Sequence, residues 1–243
     1  METDREDRPV ALTRKKGPAD LVGTLGGFSF FKGVRKSDLE DLAALALCHE
    51  YPRNNILSYR GDPAGSVFLV VSGRVKVILT NDEGREVILA LLGPGRLFGI
   101  TAAFDDGEQP AHAVTLERSM IARFSAGAFV RWTEASAGAR GALVRELTRQ
   151  VRELSQKIGE HALMNTRDRL LAALLEIADA EGEADGGQVS FTRPTHKELA
   201  NRIGTSREVV SRLLADLRED DLLEADEGRV IRLPLSALVL RDD

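Results

Sequence analysis

The hydrophobic period of this chain changes once, and that change limits the fold more than any other feature. From Tyr51 to Phe124, short apolar runs recur: Ile56–Tyr59, Val67–Ser72, Val75–Thr80, Val87–Leu92, Ala111–Leu116 and Met120–Phe124. Turn signals separate them: Gly61-Asp62-Pro63, Gly73, Asn81-Asp82-Glu83-Gly84, Gly93-Pro94-Gly95 and Asp105-Asp106-Gly107. Short strands spaced in this way close into a sandwich, jelly roll or barrel. After Ser125 the pattern becomes helical. Val144, Leu147, Val151, Leu154 and Ile158 repeat at alternating spacings of three and four, the a/d seam of a helix that packs against another surface. Arg145, Arg149, Arg152, Glu153 and Lys157 flank the seam. So narrow a stripe can be covered by its own domain or, more directly, by the same helix of a second copy.

The segments on either side carry local signals. Residues 1–20 are charged and hold Pro9, Gly17 and Pro18, as in a flexible tail. A turn-rich stretch leads to Ser37 and Glu40, spaced as a capping box for a short helix bearing Leu39, Leu42, Leu45 and Ala46. Cys48 and His49 at the end of that helix read as packing residues. Asn165-Thr166 offers the cap of a further helix with Leu170, Leu171, Leu174, Leu175 and Ile177 on it. A loop from Glu181 to Gly187 follows, and the domain boundary is placed near Asn165.

Several chemistries are excluded. The single cysteine, Cys48, can form neither an internal disulfide nor a four-thiolate cluster. No apolar run approaches the ~18–20 residues of a membrane span, and the N-terminus lacks the apolar core of a secretion signal. Phosphate-loop, zinc-protease and nucleophile-elbow motifs are absent. Gly93-Pro94-Gly95 with Gly99 sits between strands, so it reads as a turn and not as a dinucleotide fingerprint. The expectation is a non-enzyme of the cytoplasm, with no metal site and no cofactor.

The stretch Thr195 to Leu214 points to function. Thr195 with Glu198, and Thr205 with Glu208, are two capping boxes, and Gly204 lies in the turn between them. Helix, glycine-containing turn, helix is the helix-turn-helix arrangement. At about 100° per residue, Arg207, Glu208, Ser211 and Arg212 share an arc of about 140° on the second helix. Val209, Val210, Leu213, Leu214 and Leu217 occupy an opposite arc of about the same width. One face is core, and the other is a polar edge in the first turns. Arg can donate two hydrogen bonds to guanine, and Glu can accept from the cytosine amino group, so the edge suits base readout. Thr195, His196, Thr205 and Ser206, at the starts of the two helices, suit phosphate contacts. The formal charge of the chain is −5, yet residues 193–218 hold six Lys/Arg against three Asp/Glu, or +3. Further on, Leu222–Glu224 and Arg229–Leu233, joined through Asp226-Glu227-Gly228, read as a hairpin that would form a wing. Arg229 or Arg232 would then meet phosphates.

These residues resemble the CRP/FNR transcription regulators. The likeness runs through Phe31-Lys32-Gly33-Val34, Gly61-Asp62-Pro63-Ala64, Ser72-Gly73-Arg74-Val75-Lys76-Val77, Gly84-Arg85-Glu86-Val87-Ile88-Leu89, and Gly93-Pro94-Gly95 with Phe98-Gly99. It ends in Ser206-Arg207-Glu208-Val209-Val210-Ser211-Arg212-Leu213-Leu214, its most specific string. The resemblance implies an α+β chain: a flexible tail over residues 1–20, then a β-roll or jelly-roll sensor domain of the cyclic-nucleotide-binding kind over residues 21–128. A dimerisation helix region (129–163) and a winged helix-turn-helix (164–243) follow. It implies double-stranded DNA as partner, with an inverted repeat of TGTGA-like half-sites. It also implies a homodimer joined along Val144, Leu147, Val151, Leu154 and Ile158. RNA polymerase is expected as a partner by family analogy, with Asp185-Gly186-Gly187-Gln188 the loop that would touch it. No membrane partner is expected.

One part of the family pattern is missing. Members that bind cAMP hold the ribose with a Glu and the cyclic phosphate with an Arg and a Ser or Thr. The corresponding positions here are Gly99-Ile100-Thr101 and Pro110-Ala111-His112. Ile100 cannot accept from a ribose hydroxyl, and Pro110 has neither charge nor N–H. Losing the guanidinium–phosphate contact costs about 1.5–3 kcal/mol. On the long helix, Leu154 and Ser155 stand where two adjacent hydroxyl residues meet adenine in cAMP-binding members. The expectation is therefore that cAMP does not bind in the usual pose. Either the β-roll is a fixed scaffold, or its remodelled pocket takes another effector, such as cyclic di-GMP or an apolar molecule. A further alternative is a β-roll that docks a protein through Ile100 and Leu154, with DNA binding secondary.

Overall fold

The computed structural model describes residues 20–81, 86–224 and 230–234. The expected tail falls almost wholly outside them. Where a turn-rich lead-in is expected, helix α1 (Leu21–Gly27) forms instead, capped by Asp20, whose Oδ1 accepts from Gly23 N–H at 2.7 Å. A 3-10 turn, Ser29–Phe31, buries Phe30 and Phe31. Helix α2 (Lys36–Leu45) follows. Its cap is Arg35 and not Ser37, with no side-chain capping bond; the Arg35 guanidinium instead reaches Asp38 at 2.9 Å. That guanidinium first, and the Ser136 hydroxyl second, hold the Asp38 carboxyl below its ordinary value.

Among the described residues, the β region contains eight strands. These are β1 (Leu47–Tyr51), β2 (Ile56–Ser58), β3 (Ser66–Ser72), β4 (Val75–Thr80), β5 (Glu86–Leu92), β6 (Leu97–Phe98), β7 (His112–Thr115) and β8 (Ser119–Ser125), with helix α3 (Ile100–Asp105) between β6 and β7. Cys48 and His49 therefore lie on strand β1 and not at a helix end, and Cys48 is buried. The other expected strands differ from the observed ones only at their ends. They pair as two four-stranded sheets, ordered β1-β8-β3-β6 and β2-β7-β4-β5.

Strand β3 shows why its sequence is apolar without alternation. Phe68 and Val70 join Tyr51, Val75, Leu92, Ala113 and Ile121 between the sheets, while Val67, Leu69 and Val71 point the other way, onto helices. A strand buried on both faces needs a continuous apolar run. Helix α4 (Ala126–Ala135) covers the outer face with Phe129 and Trp132. Trp132 Nε1 donates to the Asp38 carbonyl at 2.7 Å, fastening α4 to α2.

Helix α5 (Ala137–Leu163) runs 27 residues, about 40 Å at 1.5 Å per residue. Ser136 Oγ accepts from Ala139 N–H at 3.2 Å and caps its start. Ala139, Ala142 and Leu143 enter the core of the β-roll. Glu146 on the same helix is only 6% exposed and ion-pairs with Arg149, while Gln150 Nε2 donates to it at 2.8 Å. Burial pushes its carboxyl above the ordinary value, against the opposing pull of Gln150 and Arg96.

The described residues divide into two compact units, and the division of the chain after the strands falls within α5, between Glu153 and Leu154. The second unit contains α6 (Thr166–Glu181), β9 (Glu183–Asp185), β10 (Gln188–Thr192), α7 (His196–Ile203), α8 (Arg207–Glu219) and β11 (Val230–Pro234). Asn165 caps α6 as expected, its Oδ1 accepting from Asp168 N–H at 3.0 Å. The segment expected as a loop from Glu181 to Gly187 contains β9, the edge of a three-stranded sheet ordered β11-β10-β9. Leu222–Glu224 do not form a strand. Strand β11 takes β10 as its partner, from Thr192↔Val230 to Gln188↔Pro234, and a single bond links Glu224 N–H to the Arg232 carbonyl at 3.1 Å. The turn Asp226–Gly228 and Arg229 lie outside the described residues.

Candidate nucleic-acid interface and effector pocket

The two helices of the reading head are built by local chemistry. Thr195 Oγ1 accepts from Glu198 N–H at 3.2 Å, and Glu198 Oε2 accepts from Thr195 N–H at 2.7 Å, which completes the expected capping box of α7. Gly204 ends α7 with φ +68°, a left-handed conformation that turns the chain sharply and strains residues bearing a Cβ. The expected second box, Thr205 with Glu208, does not form. Ser206, not Thr205, caps α8, its Oγ accepting from Val209 N–H at 3.3 Å. Arg169 on α6 donates to the Ile203 carbonyl at 3.2 Å, and Arg202 on α7 pairs with Glu176 at 2.5 Å. Neither tie has a sequence signal, because both depend on how α6 packs beside α7.

Angle and burial agree along α8. Val210, Leu213, Leu214 and Leu217 are buried with Leu199, Ala200 and Ile203 of α7, and Val209 is partly buried. Arg207, Glu208, Ser211 and Arg212 are exposed, as is the cap Ser206. Among the described residues, neither Arg207 nor Arg212 is tied into an ion pair, so both guanidinium forks are available. Its own main-chain N–H first, and the Ser206 hydroxyl next, hold the Glu208 carboxyl below its ordinary value, which keeps it an acceptor near neutrality. Ser211 Oγ lies 2.7 Å from Nδ1 of His196, so a residue expected at bases and one expected at phosphates meet each other. Thr195 is exposed and Thr205 partly so.

The cassette positions have a different character. Gly99 caps α3 with φ +76°, and a Cβ there would lie 2.7 Å from the Ser66 carbonyl. Ile100 is 2% exposed and belongs to the helix-side core of the β-roll, while Ala111 is 5% exposed. Thr101 and Pro110 are exposed. His112 Nδ1 accepts from Arg60 N–H at 3.2 Å, and its ring meets Tyr59 edge-on at 6.0 Å. On α5, Leu154 and Ser155 are exposed, as are the seam residues Val144, Leu147, Val151 and Ile158.

Comparison with known proteins agrees with this division. The cyclic nucleotide-binding domain family matches residues 48–136, and the Crp-like helix-turn-helix domain family matches residues 168–239. A CRP-like cAMP-activated global transcriptional regulator of Mycobacterium tuberculosis is 28% identical over 187 residues, covering 76% of this chain and 84% of that protein. The cAMP-activated regulator CRP of Haemophilus influenzae is 30% identical over 187 residues, covering 75% of this chain and 82% of its own length. The chain belongs to the CRP/FNR family. Among solved CRP/FNR structures, the cyclic di-GMP-responsive regulator CLP of Xanthomonas campestris superposes with a TM-score of 0.70 at 25% identity, over 82% of this chain and 99% of that one. A CRP/FNR chain with this reading head is a DNA-binding transcription regulator, and the relatives named are regulators rather than enzymes. Among the described residues, no helix is long and apolar enough to cross a membrane, and no group of three or more His, Cys, Asp or Glu is placed to hold a metal.

Proposed function

We propose that this CRP/FNR chain acts in the cytoplasm as a homodimer that reads an inverted repeat of TGTGA-like half-sites without needing cAMP. The exposed polar edge of α8 carries the proposal. Arg207, Glu208, Ser211 and Arg212 stand clear of the core in its first turns, where such helices meet base edges. Thr195, His196, Thr205 and Ser206 would position the head on phosphates. Val144, Leu147, Val151, Leu154 and Ile158 form an apolar stripe exposed at 38–68% along α5, and the same helix of a second copy would cover it. The two half-sites would then lie about one helical turn, ~10–10.5 bp, apart. Residues 21–128 would serve as sensor domain, 129–163 as dimerisation region and 164–243 as DNA-binding domain, with RNA polymerase a further partner. Buried Ile100 and the imide nitrogen of Pro110 argue against cAMP in its usual pose.

A second reading keeps an effector. The likeness to a cyclic di-GMP-responsive regulator favours that dinucleotide as the ligand to try. The deciding experiment is fluorescence anisotropy on effector-stripped protein with a labelled TGTGA-N6-TCACA duplex and a scrambled duplex at equal salt, alone and with cAMP or cyclic di-GMP. Selective binding without additions supports the effector-independent dimer, and binding only with cyclic di-GMP supports the second reading. Equal affinity for both duplexes under every condition rejects base readout by α8.

A further inference from the structure

We propose that the β-roll binds a small organic oxyanion, one that also carries a hydroxyl or amino donor, in a cavity anchored by Arg123. The cavity measures about 280 Å³ and is lined from β1, β2, β3 and β8 and the loops around Asp62 and Gln109. None of the cassette positions Gly99 to Thr101 or Pro110 to His112 lines it.

Buried polar groups are what mark this cavity. Tyr51, Ser58, Ser66 and Gln109 are each only 4–6% exposed, yet all four border it. Their polar atoms open onto the cavity and are not sealed in protein, where such groups would need hydrogen bonds. Ser66 has its bond, accepting from Arg123 Nε at 2.6 Å. The Tyr51 hydroxyl, the Ser58 hydroxyl and the Gln109 amide have no protein partner among the described residues. Burial pushes the Tyr51 phenol above its ordinary value, against the opposing effect of Arg123, so it remains a donor.

Arg123 supplies the charge. It lies on β8 directly across from Phe68 of β3. The bond from Nε to Ser66 fixes the plane of its guanidinium, and the terminal nitrogens carry four further N–H donors, unengaged among the described residues. A guanidinium held in this way matches a carboxylate or phosphate with two parallel bonds. Phe68, stacked on Phe98 at 4.8 Å, gives the cavity an apolar wall. Asp62 also lines it, with one oxygen accepting from Tyr59 N–H at 2.9 Å. This second charge favours a ligand with a donor group over a bare polyanion. Ligand pockets commonly measure about 300–1,000 Å³, so the volume suits an amino acid, a hydroxy acid or a sugar phosphate and excludes a cyclic dinucleotide.

The test is calorimetric titration of the full chain, without DNA, using L-serine, D-glycerate, glycerol 3-phosphate and uncharged glycerol. Saturable binding of at least one anion-bearing probe is expected, and none of glycerol; which probes bind separates carboxylate from phosphate chemistry. Arg123→Gln should weaken that binding by about 10-fold or more, the scale of a lost charged hydrogen bond. Arg123→Lys, which keeps the charge without the fork, should recover only part of it. Gln109→Leu, close in size, provides an independent variant and should weaken binding several-fold if the Arg123 variants fail to fold. Absence of saturable binding by all three anion-bearing probes at about 100-fold excess overturns the proposal, as does binding that both Arg123→Gln and Gln109→Leu leave unchanged. DNA anisotropy measured in parallel keeps the two readings separate, since either can fail while the other holds.

Discussion

The reading head and the β-roll use their polar residues in opposite ways. On α8 the polar residues sit within six consecutive positions, all exposed, and the helix needs only a cap and an apolar back to present them. In the β-roll the polar side chains that matter come from separate segments, Tyr51, Ser58, Ser66 and Gln109 buried and Arg123 exposed beside them, and they meet because two sheets close on each other. A surface drawn from one helix can change its specificity by single substitutions without touching the core. A cavity drawn from several elements cannot change so locally, because each lining residue also holds up a strand. The cassette illustrates this: Ile100 is no vacant ligand position but part of the packed core.

The sharpest way to break the comparison is to unfold one region and watch the other. Phe124 is fully buried with its ring 5.7 Å from Phe129, so Phe124→Ala should destabilise the β-roll by about 3–5 kcal/mol. The only tryptophan, Trp132, sits in that same core, so its fluorescence in a urea titration reports the β-roll directly. Next in size is the reading edge. Arg212→Ala, like Arg207→Ala, should cost about 1–3 kcal/mol on the TGTGA duplex and relax preference at one base pair, with little change on scrambled DNA. The tryptophan midpoint should not move.

A smaller effect tests the local construction of the head. Thr195→Ala removes a capping box and should cost about 1 kcal/mol. Faster amide exchange in the first turn of α7 checks this, again with the tryptophan signal unchanged. The smallest effect is a slope with pH. The Glu146 carboxyl is raised in the fold above its ordinary 4.5, so the folded state favours the protonated form. Its contribution is fully present below the ordinary value and is lost as pH rises through the raised one. The tryptophan-reported stability of the wild type should therefore fall over that window relative to Glu146→Gln. Parallel curves would show that burial does not govern this group.

What was legible in the sequence depended on how far apart the deciding residues lie. The strand runs, the a/d stripe of α5, the Thr195–Glu198 box and the core face of α8 rest on neighbours within a few positions, and the structure shows all of them. The errors came where two local signals competed. Ser37 has capping-box spacing, but Arg35 takes the cap position and its guanidinium reaches Asp38. Thr205 and Ser206 are adjacent hydroxyl residues, and the turn after Gly204 places the second one on the orphan N–H groups of α8. Strands β1, β6 and β9 have no clear sequence signal because pairing makes them, β1 against β8, β6 against β3 and β9 against β10. Their own patterns are too weak to do so alone.

The sequence by itself determined the two kinds of architecture, the family, and the exposed polar edge of α8. Periodicity and capping act over one or two turns, and that range is written in consecutive letters. Tertiary structure alone decided that Ile100 packs into the core, that His196 meets Ser211, and that Arg123, Tyr51, Ser58 and Gln109 border one cavity. Those positions are separated by up to 72 places in the chain, from Tyr51 to Arg123. Only the closing of two sheets, driven by burial of the apolar faces between them, brings such residues together.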